Sequence, residues 1–69
     1  MTILQHIYRL LEDGIPRSGA QIATEISATT EFAQDSVYVT VSERLPHDWR
    51  YERTRKKRVF IYRYVGRGE

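Results

Sequence analysis

The chain has 69 residues, 41% of them hydrophobic and 29% charged, with no cysteine; this composition suits one small globular domain and argues against wholesale disorder. The lack of cysteine excludes a disulfide framework, a thiolate zinc site and a catalytic thiol, and no apolar run approaches the roughly 20 residues of a membrane span. A formal net charge of +2 hides an asymmetry: residues 1–33 carry two basic side chains against four acidic ones, whereas residues 49–67 carry eight against Glu52 alone, and such a separation points to a polyanionic partner, most often nucleic acid.

Thr2 to Asp13 reads as a helix. Thr2 and Gln5 have the spacing of a capping box, Gly14 stands where a C-terminal cap glycine belongs, and Ile3, Leu4, Ile7, Leu10 and Leu11 form one apolar stripe. His6 and Arg9 fall off that stripe, and His6 has no partner at metal-ligand spacing, which makes it a surface residue. Glu12 and Asp13 sit at the helix end where the dipole disfavours acids and have no evident structural role. Pro16 biases Ile15 away from helix, so Ile15-Pro16-Arg17 is short and extended, suited to an edge strand against the C-terminal segment. Ser18, with Gln21 three residues on, opens a second helix that buries Ala20, Ile22, Ala23 and Ile26 and ends near Ser27.

Residues 28–34 form a polar connection around Phe32, whose ring is expected to plug the core. Asp35 is then the N-cap of a third helix, Ser36 to Leu45. Its Val37-Tyr38-Val39-Thr40-Val41 run has the composition of a strand. Against that, Val37, Val41 and Leu45 recur every four residues and Pro46 stops the run, which argues for helix. The outward face would show Ser36, Thr40, Glu43 and Arg44, with Tyr38 and Val39 at the margins.

Trp49 to Val65 holds two runs rich in aromatic and β-branched residues that flank Arg55-Lys56-Lys57-Arg58, the pattern of a β-hairpin with a cationic tip. With Lys56 and Lys57 at the loop centre, 55 pairs with 58, 53 with 60, 51 with 62 and 49 with 64. Trp49, Tyr51, Phe60, Tyr62 and Tyr64 then share one face, with Arg53 at its edge. Arg-Lys-Lys-Arg lacks the Gly or Asn of a tight primed turn, which leaves a longer loop and a shifted register open.

Nothing in the chain suggests catalysis. Gly14 and Gly19 are not followed by the Gly-Lys-Ser/Thr of a P-loop, and His6 and His47 are isolated. The expectation is a protein that is not an enzyme and uses no metal or cofactor. Met-Thr-Ile-Leu-Gln-His has neither the basic start nor the apolar stretch of a signal peptide, so a cytoplasmic location is expected.

Helix, short strand, helix, helix and basic hairpin together resemble the winged helix-turn-helix DNA-binding domain of small bacterial, phage or plasmid regulators. The resemblance covers residues 1–69 as a single domain. Ile3–Leu11 stands for the first helix, Ser18–Ile26 for the second, Ser36–Leu45 for the recognition helix and Trp49–Val65 for the wing. Gly19-Ala20-Gln21-Ile22-Ala23 and Ser36-Val37-Tyr38-Val39-Thr40-Val41-Ser42 are similar to stretches of that class. Two features depart from it: Ser27, not glycine, follows Ala23 at the turn, and the connection to the third helix is longer than the usual three or four residues.

The resemblance implies an α+β fold, a three-helix core with a C-terminal β-hairpin wing. It implies sequence-specific binding of double-stranded DNA by a transcriptional regulator or accessory factor, the third helix in the major groove and the wing on the backbone or in the minor groove. Carried onto this sequence, Ser36, Tyr38, Thr40 and Arg44 are the candidates for base-edge or nearby phosphate contacts. Arg53, Arg55, Lys56, Lys57 and Arg58 are the candidates for the backbone. A homodimer is compatible, because one such module buries little DNA surface.

Two alternatives stay open: a winged-helix adaptor or inhibitor that docks on protein, and an RNA or single-stranded DNA binder whose rings stack on bases. The orientation of Trp49, Tyr51, Tyr62 and Tyr64 bears on the first. Packed on the helices, they leave a basic surface; exposed, they form a docking patch.

Overall fold

The computed structural model describes residues 2–66. Arg67, which the basic segment includes, lies outside the described residues. Three helices and a three-stranded antiparallel sheet, whose first strand falls between the first two helices, make an α+β layout compatible with a winged helix. Helix α1 spans Ile3–Leu11, strand β1 Arg17–Ser18, helix α2 Gly19–Thr29 and helix α3 Gln34–Arg44. A short 3-10 turn, Leu45–His47, leads to the hairpin strands β2, Tyr51–Lys56, and β3, Val59–Tyr64. None of these helices is long and apolar enough to cross a membrane.

The two capping boxes read from the sequence are in place. The Thr2 hydroxyl accepts from the Gln5 N–H at 3.2 Å while the Gln5 side chain accepts from the Thr2 N–H at 2.9 Å. Ser18 and Gln21 do the same for α2 at 3.1 and 3.0 Å. Each box satisfies two donors that a helix start would otherwise leave unpaired. Gly14 adopts φ +78° beyond the end of α1, and its N–H donates to the Leu11 carbonyl at 3.0 Å, a backbone state that an L side chain resists.

Asp13 has a role the sequence did not show. Its carboxylate accepts from the Ile15 N–H at 2.9 Å and pairs with Arg17 at 3.0 Å. Arg17 in turn reaches Glu25 at 3.0 Å and donates to the Leu10 carbonyl at 3.0 Å. One guanidinium thus ties α1, β1 and α2 together, and these hydrogen bonds to Arg17 hold the Asp13 carboxyl below its ordinary value.

The paired residues of the extended segment are Arg17 and Ser18, not Ile15-Pro16-Arg17. Arg17 faces Tyr62 and Ser18 faces Ile61, because Pro16 has no N–H to give the ladder. In α2, Ile22, Ala23 and Ile26 are buried, but Ala20 is exposed and Gly19 takes its place in the interior. At 100° per residue Ala20 lies well off the Ile22–Ala23–Ile26 stripe. The helix continues past Ser27 to Thr29, and the Thr30 hydroxyl donates to the Ile26 carbonyl at 2.7 Å. The connection to α3 is therefore residues 30–33, four residues and not the longer loop expected. Phe32 packs against the core from this connection, its ring edge-on to His6 at 5.8 Å.

Helix α3 starts at Gln34 with Ala33 as its N-cap and no side-chain cap, so Asp35 is a first-turn residue and not the cap. A carboxylate there still complements the positive end of the helix. The β-branched run is helical, as its spacing indicates, because Val37, Val41 and Leu45 join Ile7, Leu11, Ile22 and Ile26 in one core. Burial of that stripe outweighs the weak strand propensity of the individual residues.

The sheet order is β1-β3-β2. In the hairpin Tyr51 faces Tyr64, Arg53 faces Tyr62, Arg55 faces Phe60 and Lys56 faces Val59. Lys57 and Arg58, not Lys56 and Lys57, form the turn, and Lys57 takes φ +59°. Relative to the expected pairing, β3 is displaced by two residues. Because side chains alternate with period two, that displacement leaves each residue on its expected face. Tyr51 and Tyr62 point into the helices, 7% and 2% exposed. Trp49 belongs to the preceding turn, outside the sheet, and is 59% exposed.

Candidate nucleic-acid interface

The hairpin tip is the most cationic part of the described surface. Arg53, Arg55, Lys56, Lys57 and Arg58 are all exposed. Among the described residues none of the five forms an ion pair, whereas the other hairpin cations do. Arg63 pairs across the strands with Glu52 at 3.1 Å. Arg50 grips Asp48 through two bonds, 3.0 and 2.8 Å, and its guanidinium lies 4.9 Å from the centre of the Tyr8 ring. That grip lowers the Asp48 pKa, through the Arg50 hydrogen bond above all, and raises that of Arg50. Arg50 and Arg63 are held by carboxylates; among the described residues the five tip cations are not.

The pleat divides those five residues. Arg53 and Arg55 project from the face that carries Tyr51 and Tyr62, and both lie near the Phe60 ring, at 4.5 and 5.9 Å from its centre. The Arg55 guanidinium also donates to the Lys57 carbonyl at 3.2 Å, bracing the turn. Lys56 lies on the outer face with Thr54, Ile61 and Pro16. Lys57 and Arg58 occupy the turn itself.

The α3 candidates do not form one patch. With Val37 and Val41 turned into the core, Tyr38 falls on one flank of the helix and Thr40 and Arg44 on the other. Tyr38 is 49% exposed and so is not a core residue. Its ring lies over Gly19, where an added Cβ would come within 3.3 Å of it. Together with Ser42, Arg58, Phe60 and Tyr62, these two residues line a cleft of about 110 Å³ between α3 and the hairpin tip. On the opposite flank Arg44 joins Leu4, Tyr8, Glu43, His47 and Trp49 around a wider depression of about 640 Å³. The Thr40 hydroxyl donates to the Ser36 carbonyl at 2.9 Å and is partly withdrawn from other partners. Ser36 is exposed, and between the flanks the outward face of α3 presents Asp35, Val39 and Glu43.

Two residues of the cleft were not singled out by sequence reasoning. Ser42 stands one turn beyond Tyr38, an i,i+4 relation readable from the chain. Phe60 was placed on the correct face and opposite Arg53, but not named as a site residue; the true register sets it opposite Arg55. Below them the Tyr62 hydroxyl sits beside Arg53 and Ser42, and burial raises its pKa while Arg53 opposes the rise. Burial likewise pushes Tyr51 up to about 12. Of Trp49, Tyr51, Tyr62 and Tyr64, the three tyrosines pack on the helices or on one another: Tyr51 stacks on Tyr8 at 5.7 Å and lies 5.4 Å from Tyr64. Trp49 does not.

No group of three or more His, Asp or Glu side chains among the described residues is arranged to hold a metal. Comparison with protein-family models, with curated proteins and with solved structures gives no match.

Proposed function

We propose that this chain is a sequence-specific double-stranded DNA-binding protein of the winged helix-turn-helix kind, a cytoplasmic transcriptional regulator or accessory factor. One observation carries the reading: five exposed cations crowd one hairpin tip, and none has an acidic partner among the described residues. Charges left unpaired beside one another repel, and a phosphate backbone relieves that repulsion while releasing its counterions. The four-residue connection between α2 and α3 supports the same reading, since it falls within the turn length of a helix-turn-helix.

In this reading α3 enters the major groove and the hairpin runs along the adjacent backbone or minor groove. Arg44 is the base-reading residue of choice, by bidentate contact to guanine, and Glu43 on the same face can accept from cytosine. Asp35 and Glu43 weaken affinity on that face, so the hairpin supplies most of the phosphate attraction.

A protein-docking reading has its own support in the exposed Trp49 and the acidic outward face of α3. Titration against duplex DNA, single-stranded DNA and RNA of equal length separates the classes. The DNA reading expects duplex to bind tightest; tighter binding to either single strand, or no binding to any of the three, overturns it.

A further inference from the structure

The cleft between α3 and the hairpin tip has walls that phosphate recognition does not require. Tyr38 contributes an aromatic ring from α3, 49% exposed, and Phe60 contributes one from β3, 39% exposed. Exposed aromatics beside Arg53, Arg55 and Arg58 are more than a surface needs that only has to attract phosphate. Apolar rings do nothing for a phosphate, whereas every base has a flat face that stacks on them.

Both rings are held in position. Tyr38 rests against Gly19, the residue that makes room for it, since a Cβ there would lie 3.3 Å from Tyr38 Cε2 and 3.6 Å from Tyr62 Cε2. Phe60 is fixed by its register opposite Arg55 and by the Arg53 guanidinium 4.5 Å from its centre. The remaining lining is mixed: the Ser42 side chain and the buried Tyr62 lie alongside, Arg58 joins them from the turn, and Ala20 and Val59 add apolar surface. At about 110 Å³ the cleft is far below the roughly 300–1,000 Å³ of a site for a drug-sized ligand. Its volume is of the order of a single nucleobase.

Resting on the DNA-binding reading above, we infer that this cleft receives a single unpaired base, stacked on Tyr38 or Phe60, with Ser42 and Arg58 offering hydrogen bonds to its edge. The protein therefore prefers a duplex that carries an unpaired base to one that is fully paired. In a perfect duplex the same base must first be unstacked and unpaired, at a cost that cancels much of the gain.

The test compares three duplexes of equal length: fully paired, with one bulged 2-aminopurine, and with one bulged abasic site. Stacking on an aromatic side chain is expected to favour the base-bearing bulge over the paired duplex by on the order of tenfold. The three carry nearly equal phosphate charge, so that ratio should persist as salt is raised. Binding should quench the 2-aminopurine emission. The abasic bulge is as flexible but offers no ring, and it should bind like the paired duplex.

Phe60→Leu and Tyr38→Leu keep apolar bulk without a flat face; each should bring the ratio of bulged to paired affinity toward one and reduce the quench. Because the readout is a ratio within one variant, a general loss of affinity does not imitate it. Equal affinity of the parent for bulged and paired duplex overturns the inference and leaves the DNA reading standing. So does equal preference for the abasic bulge, or a ratio unchanged in both variants. Failure to bind any of the three overturns the DNA reading and this inference with it.

Discussion

Lys57 occupies the first of the two turn positions with φ +59°, a left-handed state that costs an L residue about 1–2 kcal/mol. Positive φ at that position is what a two-residue hairpin turn demands, and glycine meets the demand without strain. Lys57→Gly should therefore raise stability by about 1 kcal/mol, seen as a higher midpoint in thermal or urea unfolding. A lower midpoint would mean that the lysine stabilises the turn through its side chain. The sequence concealed this point. Arg-Lys-Lys-Arg has no residue that favours positive φ, so nothing local marks which pair makes the turn.

Asp48 is a second residue whose importance lies in pairing. Hydrogen bonds to Arg50 depress its pKa in the folded state. A depressed carboxylate adds stability that is fully present above the unfolded value and is lost as the pH falls through the folded one. The loss therefore develops below about pH 4, the ordinary range of an aspartate. Asp48→Asn should cost on the order of 1 kcal/mol at neutral pH, discounted because Arg50 stays 40% exposed to screening water. The variant should also unfold less steeply with acid than the parent. Parallel acid curves would show that the pair contributes nothing measurable.

Among elements, the apolar stripes separate residues that look equivalent in the chain. Leu10 and Ile26 both fall on predicted helix faces, yet Ile26 is 3% exposed while Leu10 is only partly buried. Ile26→Ala should cost about 2–5 kcal/mol and Leu10→Ala distinctly less; equal melting points for the two variants would contradict the packing described. The helices were largely legible, since both capping boxes and the Val37–Val41–Leu45 spacing are local signals. Two details escaped. The third helix begins at Gln34 with no side-chain cap to mark its start, whereas the exposure of Ala20 follows from the helical phase of the Ile22–Ala23–Ile26 stripe.

The hairpin was legible in its existence and in its faces, and not in its register. Tyr51 and Tyr62 both have to reach the helices, and any even displacement of the strands satisfies that on paper. The true register has a consequence for binding, because it extends β2 to Lys56, and the pleat then keeps Arg55 on the cleft face and turns Lys56 to the other. If the cleft face meets DNA, Arg55→Ala should flatten the salt dependence by about one unit of slope while Lys56→Ala changes it little. The reverse order would place the outer sheet face against the backbone.

At the scale of the whole molecule the claim is that fold and charge are segregated. Asp13 and Glu25 hold Arg17 in the fold, while among the described residues the tip cations have no carboxylate partner. The charge asymmetry was plain in the sequence, but which cations were already committed was not: Arg50, Arg63 and Arg17 read the same as Arg55 until their carboxylates are located.

The most direct test is the slope of log K against log salt for a random duplex, measured for the parent and for a variant with Arg55, Lys57 and Arg58 changed to Gln. Each neutralised phosphate contributes about −0.9 to the slope, so the variant should be flatter by about two to three units, and its affinity at low salt should fall accordingly. Its melting point should fall by several degrees at most, since exposed side chains at a turn rarely contribute more than about 0.5 kcal/mol each, so the variant stays folded at the temperature of the titration. A variant that binds random duplex as tightly as the parent, with the same slope, would show that the hairpin tip does not hold phosphate.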